Sequence, residues 1–469
     1  MDLDLVARSI AVAILAATIV LSHRFGGWRV SNLPLWSALG IAILYGVYIV
    51  SGLEFGNGRS ALAEVCAAAF ALSGALAFQV GASLAGRRST TATYHAALRA
   101  ARFPAVSRWF IAATAVLALI FFTSLTEGAP WRIVTEGVEL KWARLEALSD
   151  KDALLLNLDA LVFAATLFGL AWSIVSYRDD KRSRNALLAF LLLLLLYVMS
   201  TGSRTPLLAV VGQVMPALAI ARLRSRVMAA AVRRSGLALV LIAVLIGLMV
   251  ATTGARVAYE SLDEDVFGRF FDIVDFGITG ALFRAGNSFA FFAATAIVYA
   301  AGTFNNLVLR IQEVTGITPS LGYKFVFFYV SALRVLLGGW LGGAIDDWRN
   351  VATANNEHLL GLSGNANQWA TPYGDIVWDF GLAGAFFVVF LSFAGLGWLV
   401  ARARRRPDFS SVMLATTVIG FSLLPLVNPL LSLHVHFSII LTLVIAGWRR
   451  SGHVRPTVPR RTSLQTPIA

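Results

Sequence analysis

Charged residues are scarce in this sequence of 469 residues. Asp, Glu, Lys and Arg together make up 14% of it, against about 25% in an average soluble domain. Hydrophobic residues make up 58% and the mean hydropathy is +0.73. This composition excludes a water-soluble globular protein.

The sequence has a single cysteine and lacks the common nucleotide and zinc motifs. Cys66 is the only cysteine, which excludes an internal disulfide and a cysteine metal cluster. The sequence has no Gly-Lys dipeptide, so it has no P-loop, and it has no His-Glu-x-x-His zinc motif. Chemistry driven by a P-loop nucleotide or by a zinc ion of that type is therefore not expected.

Apolar runs of membrane length fill most of the chain. A transmembrane helix needs about 20 apolar residues, and its backbone polar groups must bond within the helix. We predict an all-α, polytopic transmembrane bundle of about 13 spans, forming a single domain over residues 1–448. The runs fall at 9–22, 33–51, 61–86, 109–126, 153–176, 186–200, 206–221, 236–253, 287–303, 324–343, 376–400, 411–427 and 431–448.

The net charge of +13 comes from short Arg and Lys blocks between the apolar runs. This pattern is typical of membrane topology and not of a nucleic-acid binder, because positive loops stay on the cytoplasmic side. It predicts an inner-membrane protein with the amino terminus outside and the carboxyl terminus inside. Residues 449–469 form a basic cytoplasmic tail that we predict to be disordered.

The predicted outer loops are long, at 127–152, 254–286 and 344–375, and the last directly precedes the span at 376–400. The same topology puts the loop at 304–323 on the inner side. Loops held by a rigid scaffold often carry function. We therefore expect the working residues on the outer face.

A polar turn joins two predicted spans at residues 200–206. Ser203 and Arg204 lie in it, and Pro206 suits the first turn of the next helix. Free backbone N–H groups at a helix start, together with a guanidinium, suit a phosphate. The alternative is that Arg204 extends to the membrane surface and binds nothing.

Two further outward arginines, Arg256 and Arg284, flank the predicted outer loop 254–286, which also contains Arg269. Guanidinium groups match phosphate oxygens bidentately, so these residues are candidates for a lipid pyrophosphate. The alternative is that they pair with the several acidic residues of the same loop.

The loop 344–375 mixes amide, aromatic and charged side chains. Aromatic rings can stack on sugar rings, and amides can bond to sugar hydroxyls. The candidate glycan-binding residues are Arg349, Asn356, Trp369 and Tyr373.

Three residues in or after this loop could act as a general base: His358, Asp375 and Asp379. The two carboxylates are four residues apart, so they share one helix face. Asp379 would lie inside the membrane, where an ionisable side chain suggests function. Its alternative role is a bond within the bundle.

These motifs resemble one family. A Gly202-Ser203-Arg204 turn, a late outer loop, and Thr371-Pro372-Tyr373-Gly374-Asp375 leading into 378–384 look like the O-antigen polymerases, the Wzy-type oligosaccharide repeat-unit polymerases. The span count and the basic-inside pattern agree with this family over nearly the whole length.

The resemblance implies a membrane glycosyltransferase. A sugar hydroxyl of one lipid-linked repeat unit would attack a glycan on undecaprenyl pyrophosphate, and the lipid pyrophosphate would leave. His358, Asp375 or Asp379 would take the proton. Arg204, Arg256 and Arg284, with Ser203, would stabilise the pyrophosphate. No cofactor or metal is implied. The partners would be membrane lipid, a chain-length regulator and a flippase, and not nucleic acid.

Three other functions remain open. An O-antigen ligase would use the same donor with another acceptor. A polysaccharide flippase or transporter would show inverted repeats, helices broken at the membrane midplane and deep charges. A purely structural membrane protein would lack converging arginines.

Overall fold

A computed structural model describes most of the chain. The described residues are 3–26, 32–56, 58, 60–85, 98, 103–126, 128–129, 153–178, 180–201, 213–214, 216–221, 264–285, 287–323, 342–359, 371–422 and 433–451. The predicted spans at 206–221 and 324–343 are described only in part, and the span at 236–253 and the tail at 452–469 lie outside the described residues.

Helices dominate this part of the chain. They are α1 (Leu3–Gly26), α2 (Leu33–Val50), α3 (Ala61–Leu84), α4 (Arg108–Leu125), α5 (Ala153–Val175), α6 (Lys181–Thr201), α7 (Glu264–Phe271), α8 (Gly277–Arg284), α9 (Ser288–Glu313), α10 (342–359), α11 (Pro372–Arg405), α12 (Phe409–Ser422) and α13 (Leu433–Ser451). A 3-10 turn follows α9 at Val314–Gly316. A two-stranded antiparallel ribbon joins β1 (Glu54–Phe55) to β2 (Ile273–Asp275).

Seven of the described helical segments are long and apolar enough to cross a membrane. They are Asp4–Phe25, Leu33–Val50, Ala61–Leu84, Arg108–Leu125, Leu158–Val175, Phe289–Gly316 and Tyr373–Arg405. Shorter apolar helices lie at Phe409–Val418 and Val435–Gly447. The chain is therefore a mainly helical membrane protein, and the total of 13 spans stays a prediction.

Helix α3 and the later part of α11 pack closely against each other. The Phe70 and Phe386 rings stack with centroids 4.1 Å apart, and farther along the pair Gly74 faces Phe393. Sequence numbers rise together along both helices, so the two helices are parallel. This direction agrees with the prediction that the spans 61–86 and 376–400 enter the membrane from the same face.

Glycine allows this contact. A Cβ atom at Gly81 would lie 1.8 Å from the Ala394 carbonyl oxygen, and one at Gly397 would lie 2.1 Å from the Phe78 carbonyl oxygen. Neither position can hold a side chain without moving a backbone. Small residues at such contacts are the usual means by which membrane helices pack closely.

Two large hydrophobic clusters form the interior. One gathers α1, α2, α3, α9 and α11, and the other gathers α4, α5 and α6. Helix α12 contacts both sets of helices: Met413 belongs to the second cluster, and Ala415 packs with Leu33 of α2 and Phe78 of α3. Buried acids inside the helices have partners, because Tyr45 donates to Glu64 and Tyr197 donates to Asp159, each at 2.8 Å.

Three predicted loops are partly helical, and the loop predicted at 254–286 contains α7 and α8. Helix α10 occupies half of the loop predicted at 344–375, and α9 continues to Glu313 through half of the loop predicted at 304–323. The predicted span ends at 303, and the polar residues Asn305, Asn306 and Arg310 follow it in the sequence. In the structure these three side chains are buried, so the helix continues without exposing polar groups to lipid.

Segments predicted on opposite faces of the membrane are in contact. Trp348 of α10 donates to the Ser320 carbonyl oxygen, and its ring lies 5.3 Å from that of Tyr323. Asn355 donates to the Thr318 carbonyl oxygen at 2.7 Å. A membrane crossing between residues 323 and 344 would separate its ends by about 30 Å. These contacts favour placing 304–323 and 344–375 on the same face, whereas the sequence prediction places them on opposite faces.

We expect Gly397→Ala to lower the free energy of unfolding by about 1–3 kcal/mol, the usual cost of overpacking. Its Cβ atom would meet the α3 backbone. Gly395→Ala is the matched control, because nothing lies within 4 Å of its Cβ position. Denaturant unfolding in detergent measures both, and equal stability of the two variants would contradict this packing.

We also expect Leu321→Cys and Asp347→Cys, each in a Cys66→Ala background, to be labelled from the same side of the membrane. Both positions are exposed. An impermeant thiol reagent applied to intact spheroplasts and to lysed cells provides the measurement. Arg406→Cys, at the far end of α11, should show the opposite pattern. Labelling of Leu321→Cys and Asp347→Cys from different sides would support the prediction that 304–323 and 344–375 lie on opposite faces.

Candidate functional site

Helix α11 is broken near its start. Thr371 caps it by accepting a hydrogen bond from the Gly374 amide at 3.2 Å, and Pro372 occupies the first turn. At Gly381 the backbone leaves helical geometry, with φ 72° and ψ 170°. Glycine adopts this φ readily, whereas other residues do so at a cost. Residues 372–380 therefore form a separate half-helix.

The half-helix lies beside the rest of α11 and not in line with it. The Tyr373 ring stacks against Phe393, with centroids 6.3 Å apart. A continuous helix rises 1.5 Å per residue and would separate these residues by about 30 Å. The chain therefore turns back at Gly381 and brings the start of α11 into the bundle.

Tyr373 is a core residue. Its ring also stacks on Phe70, and its hydroxyl shares a 2.8 Å hydrogen bond with Ser37 of α2. Tyr373 is buried. A ring packed between two other rings cannot stack on a sugar, so the structure replaces the predicted glycan contact of Tyr373 with a packing role.

A buried ion pair joins the half-helix to α9. The Arg310 guanidinium donates to the Asp375 carboxylate, and the two residues are only 2% and 6% exposed. A buried charge is costly unless it is paired, so each residue holds the other in place. Asp375 is one of the predicted bases, and here its carboxylate is bound to a cation.

Asp379 is the most deeply buried of the predicted bases, at 0% exposure. Ser320 donates its hydroxyl to the Asp379 carboxylate. The Leu321 amide donates to the Asp379 backbone carbonyl at 2.8 Å. These contacts favour the alternative role stated for Asp379, which is a bond within the bundle that fixes the segment 318–323.

Arg310, Ser320, Asn355, Asp375 and Asp379 together form what we call the central polar cluster. It lies where α9, the segment 314–323, α10 and the half-helix meet. All five residues are buried. Because buried polar side chains inside a membrane protein are expensive and usually functional, this cluster is the candidate site.

His358 and Trp378 lie at the edge of the cluster. Their rings are nearly parallel, with an interplanar angle of 8° and centroids 6.3 Å apart. Trp378 is fully buried against Leu309 and Leu359, whereas His358 is exposed. Among the three predicted bases, His358 is thus the one whose side chain is open to a substrate.

The remaining predicted site residues are scattered or undescribed. Arg284 ends α8 and is exposed, Arg349 is exposed on α10, and Asn356 is partly buried beside Asn355. None of these three belongs to the central polar cluster. Four predicted site residues lie outside the described residues: Ser203, Arg204, Arg256 and Trp369.

Arg310 is the main residue that the sequence prediction missed, because it was assigned to a basic inner loop. The sequence nevertheless contained a signal that Arg310 lies on a helix. Asn306 and Arg310 are four residues apart and Glu313 follows three residues later, which is the spacing of one helix face. This spacing indicates that the helix continues past residue 303 with a polar face.

The chain matches no family model, no curated protein and no solved structure. The resemblance to O-antigen polymerases therefore stays a prediction that depends on the residues of this chain.

We expect Arg310→Met and Asp375→Leu each to lower the free energy of unfolding by about 3–5 kcal/mol, because each leaves an uncompensated buried charge. The double variant should recover most of this loss, because neither charge remains. A double-mutant cycle by denaturant unfolding measures the coupling. Additive losses in the double variant would contradict the ion pair.

Proposed function

We propose that this chain is a membrane glycosyltransferase that joins lipid-linked oligosaccharide repeat units, as the resemblance to O-antigen polymerases implies. The observation that supports it best is the position of His358, an exposed imidazole beside a buried cluster of two carboxylates and one guanidinium. Glycosyl transfer from a lipid pyrophosphate needs a base for the attacking hydroxyl and a cation for the leaving group.

In this proposal His358 takes the proton of the attacking sugar hydroxyl. Asp375 and Asp379 already accept bonds from Arg310 and Ser320, so they position the half-helix and are second choices as bases. His358 is held on α10, and Asn355 and Trp348 of the same helix bond to the segment 318–320. A base fixed on a packed helix keeps its orientation.

The predicted substrate contacts complete the proposal. The glycan would be bound by the exposed Arg349, the partly buried Asn356 and Trp369, which lies outside the described residues. The exposed Arg284 would bind the pyrophosphate. Ser203, Arg204 and Arg256 keep their predicted roles at the pyrophosphate. The reaction would take place on the outer face of the inner membrane, with a flippase supplying repeat units and a chain-length regulator acting on the product.

A transporter of lipid-linked glycans is a second candidate. Such proteins use helices broken inside the membrane and polar groups at the break. The break at Gly381 and the buried Arg310, Asp375 and Asp379 are features of this kind. A ligase that transfers the same donor to another acceptor is compatible with the same residues.

In a host strain lacking the native gene, we expect His358→Ala to reduce polymer formation by about 10²–10⁴-fold, the usual contribution of a general base. Glu357→Gln, an exposed neighbour on the same helix, is the matched control and should restore normal polymer. Gel separation of the surface polysaccharide measures chain length. Normal polymer in the His358→Ala strain would refute the assignment of the base.

The His358→Ala strain also distinguishes a polymerase from a transporter. For a polymerase, lipid-linked single repeat units should accumulate on the outer leaflet, where impermeant periodate oxidises them in intact spheroplasts. For a transporter, the units should stay on the inner leaflet and react only after lysis. A ligase would leave the polymer intact on its lipid carrier but absent from the final acceptor.

A further inference from the structure

Helix α8 has an exposed face that is almost entirely apolar. Its sequence is GITGALFR, and its one charged residue is Arg284 in the last turn. Its other polar side chain, Thr279, is buried and donates to the Ser51 carbonyl oxygen at 3.1 Å. Ile278 is 70% exposed, and Ala281 is exposed on the same face. A helix at a water-exposed surface normally presents polar residues to the water, so this face does not suit water.

The contact between α8 and the end of α2 shows where α8 lies relative to the membrane. Helix α2 is one of the membrane-length apolar helices. Its 18 residues rise about 27 Å, which is close to the thickness of the hydrocarbon core. A Cβ atom at Gly277 would lie 2.5 Å from the Gly52 carbonyl oxygen. The start of α8 therefore packs on the chain just after α2, at the edge of the hydrocarbon.

The apolar face of α8 adjoins the exposed surface of α2. Ile43 and Val50 of α2 are 63% and 74% exposed, and in a membrane span such side chains face lipid. The Cγ1 atom of Ile278 lies 3.4 Å from the Cβ position of Gly52, two residues after Val50. Exposed apolar surface marks a contact with lipid or protein. Because this surface continues from a membrane span onto α8, lipid is the partner that fits it.

The ribbon beside α8 limits how deeply this region enters the membrane. Glu54 of β1 pairs in register with Asp275 of β2, and both are exposed. A carboxylate inside the hydrocarbon is costly, so this end of the ribbon lies among head groups or in water. The Gly277 amide donates to the Asp275 carboxylate at 3.0 Å. The change from a polar to an apolar surface thus occurs between Asp275 and Ile278.

We propose that α8 lies in the membrane interface, with Ile278 and Ala281 against the acyl chains of phospholipids in the leaflet at the end of α2. Interfacial helices bury their apolar face about 5–10 Å into the boundary between head groups and acyl chains. The side chain of Arg284 can extend from this depth towards the surface. Part of the loop predicted at 254–286 is then in lipid and not in water. This contact is independent of the proposed enzyme.

Spin labels on the purified full-length protein in phospholipid nanodiscs test this placement. Each label is attached to one cysteine in a Cys66→Ala background: Ile278→Cys, Ile43→Cys within α2, or Glu54→Cys on the ribbon. Dissolved oxygen concentrates among acyl chains, whereas a nickel chelate stays in water. We expect oxygen to collide with the label at Ile278→Cys more often than the nickel chelate does, as at Ile43→Cys. The order should be reversed at Glu54→Cys.

More frequent collisions with nickel than with oxygen at Ile278→Cys would place α8 in water and overturn the proposal. Low collision rates with both reagents would overturn it as well, because protein and not lipid would then cover Ile278. Magnetic broadening between labels would in that case identify a second copy of this chain as the cover.

Photolabelling of the wild-type protein tests the same contact without any substitution. The probe is a phospholipid with a diazirine group in its acyl chain, reconstituted with the protein into vesicles and activated by light. Fragment-ion mass spectrometry should locate the added lipid within residues 277–284 and within α2, but not at Glu54 or Asp275. Labelling of α2 with none in 277–284 would contradict the lipid contact of α8.

Discussion

One buried ion pair connects the segments that form the candidate site. Arg310 comes from a long helix and Asp375 from the first turn of a half-helix, 65 residues later in the chain. Neither charge could remain buried alone, because an unpaired charge in a low-dielectric interior costs several kcal/mol. The pair therefore fixes how α9 and the start of α11 meet. The position of the segment 314–323 follows, since it lies between them and bonds to Asp379.

This constraint explains why the chain departs from a simple series of crossings. The half-helix turns back at Gly381 and places Tyr373 between Phe70 and Phe393. Helix α10 then packs on the segment 318–323 through Trp348 and Asn355. Polar groups that would be unstable in lipid form hydrogen bonds and ion pairs with one another inside the bundle. Membrane proteins tolerate irregular backbone only where protein or a water-filled cavity surrounds it.

Much of the helical framework could be predicted from hydropathy. Seven apolar helices lie where apolar runs were found, because a long uncharged run has few alternatives in a membrane. The shared face of Asp375 and Asp379 was also predictable, since spacing of four residues depends only on helix geometry. Hydropathy missed the helical extension through Asn305, Asn306 and Arg310, because it cannot distinguish a polar loop from a polar helix face with buried partners. Only the helical spacing of Asn306, Arg310 and Glu313 indicated it.

Part of the candidate site could be predicted from side-chain chemistry alone. His358, Asp375 and Asp379 were named from their chemistry, and the structure places them around one cluster. Tyr373 was assigned to glycan binding because aromatic residues in loops often bind sugars, yet its ring belongs to the core. Arg310 could not be paired with Asp375 from sequence, because the contact joins distant segments and depends on the turn at Gly381.

Amide hydrogen exchange in an Arg310→Met variant would test the role of this ion pair most directly. We expect faster exchange in residues 372–380 than in the wild type, because the half-helix loses the partner of Asp375. Exchange unchanged from the wild type would show that the pair does not hold the half-helix in place.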